Sequence, residues 1–409
     1  MVKNNKWVLL ILCWLTWGFI FADRMVITFV APLMVKDLNI SMTQFGLTMS
    51  AVTITWLIMA AVGGNLSDRV GRVKVIVPAI FWFSILTTLV GFARGFKPLL
   101  FLRGLIGLGE GSYWGPGVAL INESWPPERR GIALGFHQTG SPFIGVFLTG
   151  IVSGLIAARW GWRAPFWVFG ICGIVTGLLF WLLIKEPKNE ATHEATSQPK
   201  VKVKASQVLM SSKEYVFNLI ILFFVMVMYW SISSFLPIYL SNVKGLAVSA
   251  AGSVAGITGL VGMAGMILSG LYSDYIGRRA ALIISLVGVL VGLPMLFVSN
   301  SMFSIMLASI ILGYAIYAPF PLCLAIIPGD VIPNEFVGTA AGITLAVGEI
   351  GGIVGPILGG YLNDLYGITA SFWLAFGAAI IAGILSLVMK ETAPRIAKPV
   401  DIGKADLSS

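Results

Sequence analysis

The sequence predicts an all-α membrane protein of twelve transmembrane helices, arranged as two six-helix halves. Its 409 residues are 57% hydrophobic and only 11% charged, whereas soluble chains carry about 25% charged residues. The apolar residues form continuous runs of roughly 20 residues, the length that a helix needs to cross a bilayer. A membrane β-barrel is excluded, because its short strands would alternate polar and apolar positions.

Twelve apolar runs give the order of the helices. They lie at 7–35, 44–66, 73–94, 97–122, 131–159, 163–184, 215–241, 249–273, 279–298, 301–329, 337–365 and 369–389. The first run continues past any plausible signal-peptide cleavage site, so we expect it to be retained as a helix. An even number of spans places both termini on one side of the membrane.

Basic residues orient the helices. Of the 27 Lys and Arg residues, two lie within spans (Arg24 and Arg103), and six lie on the side away from the termini: Lys36, Arg94, Lys97, Arg159, Arg163 and Lys244. The remaining 19 lie on the side of the termini, and such an excess marks cytoplasmic loops. We therefore expect cytoplasmic termini in a bacterial inner membrane. The net charge of +9 reflects this bias and does not indicate nucleic-acid binding.

The two halves repeat each other. "GNLSDRVGR" at Gly64–Arg72 recurs as "GLYSDYIGR" at Gly270–Arg278, and "KEP" at Lys185 is echoed by "KET" at Lys390. "ESWPPERRGIA" at Glu123–Ala133 likewise matches "DVIPNEFVGTA" at Asp330–Ala340. We expect a six-helix bundle over 1–184, a polar cytoplasmic linker over 185–214, a second bundle over 215–390 and a cytoplasmic tail over 391–409. Duplicated secondary transporters bind substrate between their halves, near the membrane midplane.

The repeated loop after the second and eighth spans combines glycine with charge. Gly71 and Gly277 suit a tight turn between helices, and the nearby aspartates can pair with basic residues or cap a helix. The loop resembles the signature loop of the major facilitator superfamily, and the resemblance covers essentially the whole chain. It implies a latch between conformations with the gating residues Asp68, Arg69, Arg72, Asp274 and Arg278. The alternative is that these residues only set topology and solubility.

Five ionisable residues fall well inside the spans: Asp23, Arg24, Arg103, Glu110 and Glu349. A charge at the bilayer centre costs about 2.5–3.5 kcal/mol, so it is expected to face a partner or a cavity. Seven residues make nearly two helical turns, so Arg103 and Glu110 share one face of the fourth helix, about 10 Å apart. Asp23 lies about 24 Å along the first helix from its start, near the middle of the membrane.

These charges have the chemistry of proton-coupled anion binding. Asp23 and Glu110 can carry protons, because burial disfavours the ionised carboxylate and a nearby arginine favours it. Arg24 and Arg103 stay charged, and their planar guanidinium groups suit a carboxylate. The alternative is a pair of internal salt bridges, Asp23–Arg103 or Arg24–Glu110, that only hold helices together.

The tripeptide "ADR" at Ala22–Arg24, the Arg103 and Glu110 pair and the "WPPERRGIA" loop resemble the anion:cation symporter family of that superfamily. This family includes bacterial sugar-acid transporters and the vesicular sialic-acid and glutamate carriers. The resemblance implies proton-coupled uptake of a small organic anion. It also implies that the helix 1 aspartate and helix 4 glutamate are protonated, and that the arginines engage substrate or the glutamate.

Two other resemblances remain as alternatives. "RGLIGLGEGSY" is also similar to helix 4 of spinster-type lysolipid transporters, which likewise carry Asp-Arg in helix 1; the retained Gly71 and "GRVK" argue against them. The glycines between Gly342 and Gly360 match the glycine motif of drug/proton antiporters, but lie in helix 11 instead of helix 5. We interpret them as packing and hinge residues.

Glu349 departs from the symporter pattern, in which this position of helix 11 is more often neutral and polar. It can hold a substrate amino or hydroxyl group, carry another proton, or be a buried side chain without a role in transport. Further candidates for substrate binding are polar or aromatic residues of helices 5, 7 and 10: His137, Gln138, Tyr229, Trp230 and Tyr317. For these, structural hydrogen bonding or packing is the alternative.

Other classes of function lack their signatures. Cys13, Cys172 and Cys323 lie in apolar runs without disulfide or metal spacing, and no phosphate-binding GxxxxGK[ST] loop is present. The spans contain no nucleophile–base pair for an enzyme and no ring of like charges for a channel. We therefore expect a monomeric secondary transporter that moves an organic anion with protons by alternating access, without a cofactor or metal.

Overall fold

The computed structural model describes residues 5–186 and 209–396. The middle of the predicted linker, including His193, and most of the predicted tail lie outside the described residues. Six helices precede the linker: α1 (Lys6–Asp37), α2 (Met42–Val70), α3 (Arg72–Val90), α4 (Phe96–Ser124), α5 (Pro127–Trp160) and α6 (Ala164–Leu183). Six follow it: α7 (Lys213–Asn242), α8 (Val248–Ile276), α9 (Arg278–Val298), α10 (Met302–Val331), α11 (Val337–Tyr366) and α12 (Ala370–Val388).

Each predicted span corresponds to one of these helices, which confirms the all-α architecture of twelve helices in two halves. Eleven of them, within the described part of the chain, are long and apolar enough to cross a membrane. The other is α4, which has 29 residues and carries Arg103 and Glu110. It packs against α2 and α3, and its Arg103 and Glu110 side chains are fully buried, so its charged face is turned into the protein.

The glycines of α4 allow this close packing. A Cβ atom on Gly107 would overlap the α2 backbone at Val52, and one on Gly109 would lie 3.1 Å from the carbonyl oxygen of Ala79 on α3. Gly104, in contrast, has no atom within 4 Å of such a Cβ. The glycines therefore bring α4 close to its neighbouring helices, as small residues do in membrane bundles.

Two helices depart from regular α-helical geometry. Helix α5 consists of an α-helical segment (Pro127–Gln138), a π-helical segment (Ser141–Leu148) and a second α-helical segment (Thr149–Trp160). Helix α10 contains a π-helical segment, Leu322–Ile326, just after two prolines. Proline removes a backbone donor and widens the local turn, and π-helical turns are frequent at functional sites.

The halves meet chiefly through two helix pairs, α2 with α11 and α5 with α8, and α1 also contacts α7 and α8. We call the end of the bundle where α6 ends and α7 begins the linker end, and the opposite end the far end. At the far end, Asp364 of α11 accepts hydrogen bonds from the backbone N–H groups of Met42 and Thr43, each at 2.8 Å, at the start of α2. Ser50 of α2 donates to the carbonyl oxygen of Ile353 at 2.7 Å. These contacts close the far end.

The linker end is open between the same helices. A Cβ atom added to Gly64 on α2, or to Gly338 or Gly342 on α11, would meet no other atom within 4 Å. The first residues of α5, from Pro127 to Ile132, are exposed. Glu349 lies one helical turn nearer the linker end than Ile353. The predicted site therefore lies where the closed part of the interface gives way to the open part.

Candidate transport site

Two buried ion pairs join α1 to α4. Arg24 Nε donates to Glu110 Oε2 at 2.7 Å, and both side chains are buried. Arg103 Nη1 donates to the backbone carbonyl oxygen of Asp23 at 2.9 Å and lies 3.6 Å from the Asp23 carboxylate. The four charged residues predicted from helices 1 and 4 thus come together, and both salt bridges considered from the sequence are present.

The different directions of Asp23 and Arg24 on α1 allow this pairing. Asp23 and Arg24 are neighbours on α1 and point about 100° apart, while Arg103 and Glu110 lie two turns apart on one face of α4. Each α1 side chain therefore meets a different level of α4. Thr87 of α3 and Glu110 also lie beside the Asp23 carboxyl group, so the two acids belong to one cluster.

The ion pairs leave some charged atoms without partners. Arg24 Nη2 and Arg103 Nε and Nη2 are buried and have no hydrogen-bond partner among the described residues. Buried polar atoms are nearly always hydrogen-bonded in proteins. The unused donors therefore mark a place where a carboxylate can bind.

In the second half, residues of α7, α10 and α11 lie opposite the ion pairs of α1 and α4. The hydroxyl groups of Tyr229 and Tyr317 lie 3.0 Å apart, and the Trp230 ring packs edge-on against Tyr229 at 5.2 Å. Glu349 is buried and interacts electrostatically with Arg24 and Glu110 of the first half. The predicted residues of α7, α10 and α11 therefore face the charges of α1 and α4.

Three tryptophans that were not predicted from the sequence, Trp17, Trp56 and Trp114, form a cluster beside Arg24. The Arg24 guanidinium lies 5.1 Å from the centre of the Trp56 ring. Trp17 packs on Trp114 at 4.6 Å. The Nε1 atoms of Trp17 and Trp56 are buried without a hydrogen-bond partner among the described residues. One signal was available in the sequence, because Trp17 precedes Arg24 by seven residues and so lies on the same face of α1.

His137 is buried in this aromatic cluster and hydrogen-bonded within the protein. Tyr113 donates its hydroxyl proton to the carbonyl oxygen of Cys13 at 2.8 Å, so it can only accept from His137 Nε2, 3.0 Å away. We infer that the proton is on Nε2; Nδ1 is then an acceptor, and it is buried without a partner in the described chain. Gln138 is half-buried and has no hydrogen bond to a described residue, so its role in the site stays a prediction.

The repeated loops form one charge network in each half. Gly71 and Gly277 turn the chain with φ of 109° and 99°. Arg72 bonds Asp68 at 3.0 Å and Glu123 at 2.6 Å, and the second half repeats this arrangement with Arg278, Asp274 and Asp330. Arg69 is exposed.

A further carboxylate completes each network. Glu186 accepts from the backbone N–H groups of Arg72 and Val73 at 2.6 and 2.9 Å, and Glu391 does the same for Arg278 and Arg279. The pairing of Asp68 and Asp274 with basic residues was predicted from the sequence. The two glutamates, and Glu123 and Asp330, were not predicted as partners of these loops, although each lies in a repeated segment. Within the described part of the chain, all these bonds are within one half, so there the loops do not connect the halves in this conformation.

The glycine motif of α11 also has structural neighbours. A Cβ atom on Gly355 would lie 2.8 Å from the carbonyl oxygen of Val227 on α7, and Gly351 packs against α7 at Phe223. Gly360 packs against α2. These contacts agree with the interpretation of the glycines as packing residues.

Within the described residues, no group of three or more His, Cys, Asp or Glu side chains is arranged to hold a metal ion.

Comparison with known proteins agrees with the architecture. A sequence profile of the Major Facilitator Superfamily matches residues 12–275 and 264–408. The chain is 27% identical to a hexuronate transporter of Bacillus subtilis (strain 168), with 98% of this chain and 97% of that protein covered. It is 25% identical to a probable galactarate/D-glucarate transporter of Escherichia coli (strain K12), with 94% of each covered.

Among solved structures, the fold is similar to that of a bacterial homolog of the human lysosomal transporter Spinster, crystallised in an inward-facing and unoccupied conformation. The TM-score is 0.81 over 94% of this chain and 96% of that one, at 20% identity, so this likeness concerns the fold alone. The profile match over both halves, the twelve helices and the duplicated loops lead to one conclusion: this chain belongs to the Major Facilitator Superfamily and is a multi-pass membrane transporter, not an enzyme.

Proposed function

We propose that this protein is a proton-coupled symporter of a small organic anion. The relatives named above carry organic anions, and they match the chain over nearly its whole length. The observation that supports the proposal most directly is the buried Arg24, which is paired with Glu110 through Nε while Nη2 stays unpartnered among the described residues. A substrate carboxylate is the natural second partner for such a guanidinium.

The Arg24–Glu110 pair links anion binding to proton binding. When Glu110 takes up a proton, its attraction for Arg24 falls, and the guanidinium becomes available to the substrate carboxylate. By linkage, a bound anion on Arg24 favours the protonated form of Glu110 to the same extent. Asp23 lies beside Glu110 and Arg103 and carries a second proton in this scheme.

Alternating access follows from the two helix pairs between the halves. With cytoplasmic termini in a bacterial inner membrane, the far end faces outward and the structure is open to the cytoplasm. Rocking the halves about the site would separate Asp364 from the start of α2 and bring the linker ends of α2 and α11 together. The loop residues Asp68, Arg69, Arg72, Asp274 and Arg278 would then connect the halves. In this scheme the monomer, with bundles over 1–184 and 215–390, is the working unit.

Reconstituted protein tests the proposal directly. Proteoliposomes with an imposed pH gradient, acidic outside, are supplied with labelled sugar acids, hydroxy acids, dicarboxylates and aromatic acids, together with a lysophospholipid. We expect saturable, uphill uptake of one class of organic anion that collapses when a protonophore removes the gradient. Uptake that never exceeds equilibrium would refute coupling, and transport of the lysophospholipid alone would favour the spinster-like alternative.

A further inference from the structure

Among the described residues, Glu349 is the one buried carboxylic acid that the second half contributes to the site. The buried arginines and carboxylic acids near the half interface, in this described part, are Arg24, Arg103, Asp23, Glu110 and Glu349. Asp23 and Glu110 each have an arginine partner within α1 and α4. Glu349 has none in the second half, and its Oε2 atom is buried without a hydrogen-bond partner in the described chain.

Glycine shapes the space around this carboxylate. A Cβ atom on Gly352 would lie 2.9 Å from Trp230 Nε1 and 3.6 Å from Glu349 Oε2, so the missing side chain makes room for both groups. Glu349 and Tyr229 also interact electrostatically with each other and with Arg24 across the interface. The free oxygen of Glu349 therefore belongs to the same site as Arg24.

The two halves leave different atoms unpartnered around the site. In the first half, among the described residues, these include the donors Arg24 Nη2 and Trp56 Nε1, whose ring lies beside the Arg24 guanidinium, and the acceptor Glu110 Oε1. In the second half, an ionised Glu349 only accepts hydrogen bonds, and it lies near Tyr229, whose hydroxyl group is 3.0 Å from that of Tyr317. A ligand that pairs with both Arg24 and Glu349 needs acceptor oxygens at one end and a donor at the other.

We propose that Glu349 makes this transporter selective for monocarboxylates that carry hydroxyl groups at the end away from the carboxylate, and that it excludes dicarboxylates. This inference rests on the proposed function. A substrate hydroxyl group donates to Glu349 Oε2 and satisfies it, whereas a second carboxylate places two negative charges together in a buried site. Arg24 then binds the single carboxylate at the opposite wall.

D-Gluconate and D-glucarate test this directly, because they differ only at the terminal carbon, which is a hydroxymethyl group in one and a carboxylate in the other. Binding to purified full-length protein is measured by calorimetry, with D-glucuronate as a third ligand. For the wild-type protein we expect at least tenfold tighter binding of the monocarboxylates. Glu349→Gln, whose amide can donate to a carboxylate, should bring the ratio of gluconate to glucarate Kd to within about threefold of unity. A side chain that merely packs would not change this ratio.

Two further variants keep the test decisive. Glu349→Asp retains the charge and should retain the preference, and Asp37→Asn removes an exposed acid paired with Arg163 at the far end and should leave both Kd values unchanged. If Glu349→Gln does not fold, loss of the preference in Glu349→Ala together with its retention in Glu349→Asp carries the same information, and retention in Glu349→Ala overturns the inference. Equal wild-type binding of gluconate and glucarate, or an unchanged ratio in Glu349→Gln, overturns the inference and leaves the proposed function intact. Wild-type protein that binds none of the three sugar acids also overturns it, while the wider panel of anions decides the proposed function separately.

Discussion

Replacing Glu110 by glutamine separates the two roles that the Arg24–Glu110 ion pair can have. In the wild-type protein, Arg24 Nε donates to Glu110 Oε2 at 2.7 Å. Glutamine has nearly the same shape as glutamate and keeps an oxygen that can accept this hydrogen bond, but it cannot take up a proton. If Glu110 carries one proton in each transport cycle, the variant should still bind and exchange substrate while losing one coupled proton.

The size of the effect follows from the pH gradient. Each pH unit supplies about 1.4 kcal/mol for each coupled proton, so a gradient of about two units supports roughly a hundredfold accumulation for each proton. Glu110→Gln should therefore lower steady-state accumulation up to about a hundredfold. Counterflow exchange, which needs no net proton movement, should remain within a few-fold of the wild-type rate.

The assay compares driven uptake and counterflow in the same proteoliposomes, with Tm measured in detergent. Asp37→Asn is the matched control, since its exposed ion pair with Arg163 lies outside the site and such pairs contribute little stability. Wild-type accumulation by Glu110→Gln would refute its role as a proton carrier. If driven uptake and exchange fall together with Tm, the pair is structural, because stranding one partner of a buried ion pair costs about 3–5 kcal/mol.

Three further predictions concern the second ion pair, the loop turn and the far-end contact. Asp23→Asn or Arg103→Gln alone should lower Tm by stranding a buried charge, and the double variant should recover most of the loss; a double variant with additive losses would contradict the pairing. Gly71→Ala should destabilise by about 1–3 kcal/mol because its φ is 109°, whereas Gly131→Ala, which has open space around its Cβ, should be nearly neutral in the same Tm measurement. Asp364→Ala removes acceptors at the start of α2 that exist only while the far end is closed, so it should favour the far-end-open state by about 1 kcal/mol, or roughly fivefold. Spin-label distances between α2 and α11 at the far end measure this shift, and an unchanged distribution would refute it.

Much of the site could be predicted because the sequence features that indicate it are either local to one helix or repeated in both halves. A charged residue in an apolar run is visible without any structure, so Asp23, Arg24, Arg103 and Glu110 were found directly. Helical periodicity also placed Arg103 and Glu110 on one face of α4. Other predictions depend on more than one helix: Gln138 is half-buried and its place in the site stays a prediction.

Residues of ordinary composition were harder to find. Tryptophan is common in membrane helices, so nothing in the sequence distinguishes Trp56, which lies over Arg24, from Trp160, which is exposed. Likewise, Glu186 and Glu391 lie after the last helix of each half, more than a hundred residues from the loops that they cap. Such contacts depend on how helices pack, and periodicity within a helix contains no information about its neighbours.

The sequence by itself determined the twelve spans and the intramembrane charges, because a bilayer imposes a length and a hydropathy on each helix separately. It also determined the duplication, because the repeated motifs can be recognised by comparing the two halves of the sequence. Only the tertiary structure decided which acid pairs with which arginine, that Glu349 of the opposite half lies near enough to Arg24 to interact with it electrostatically, and that the halves are closed at the far end. Those facts depend on the relative position of helices that are distant in sequence. That position is set by close packing at glycines and by a few hydrogen bonds between the halves, and it changes during transport while the sequence stays the same.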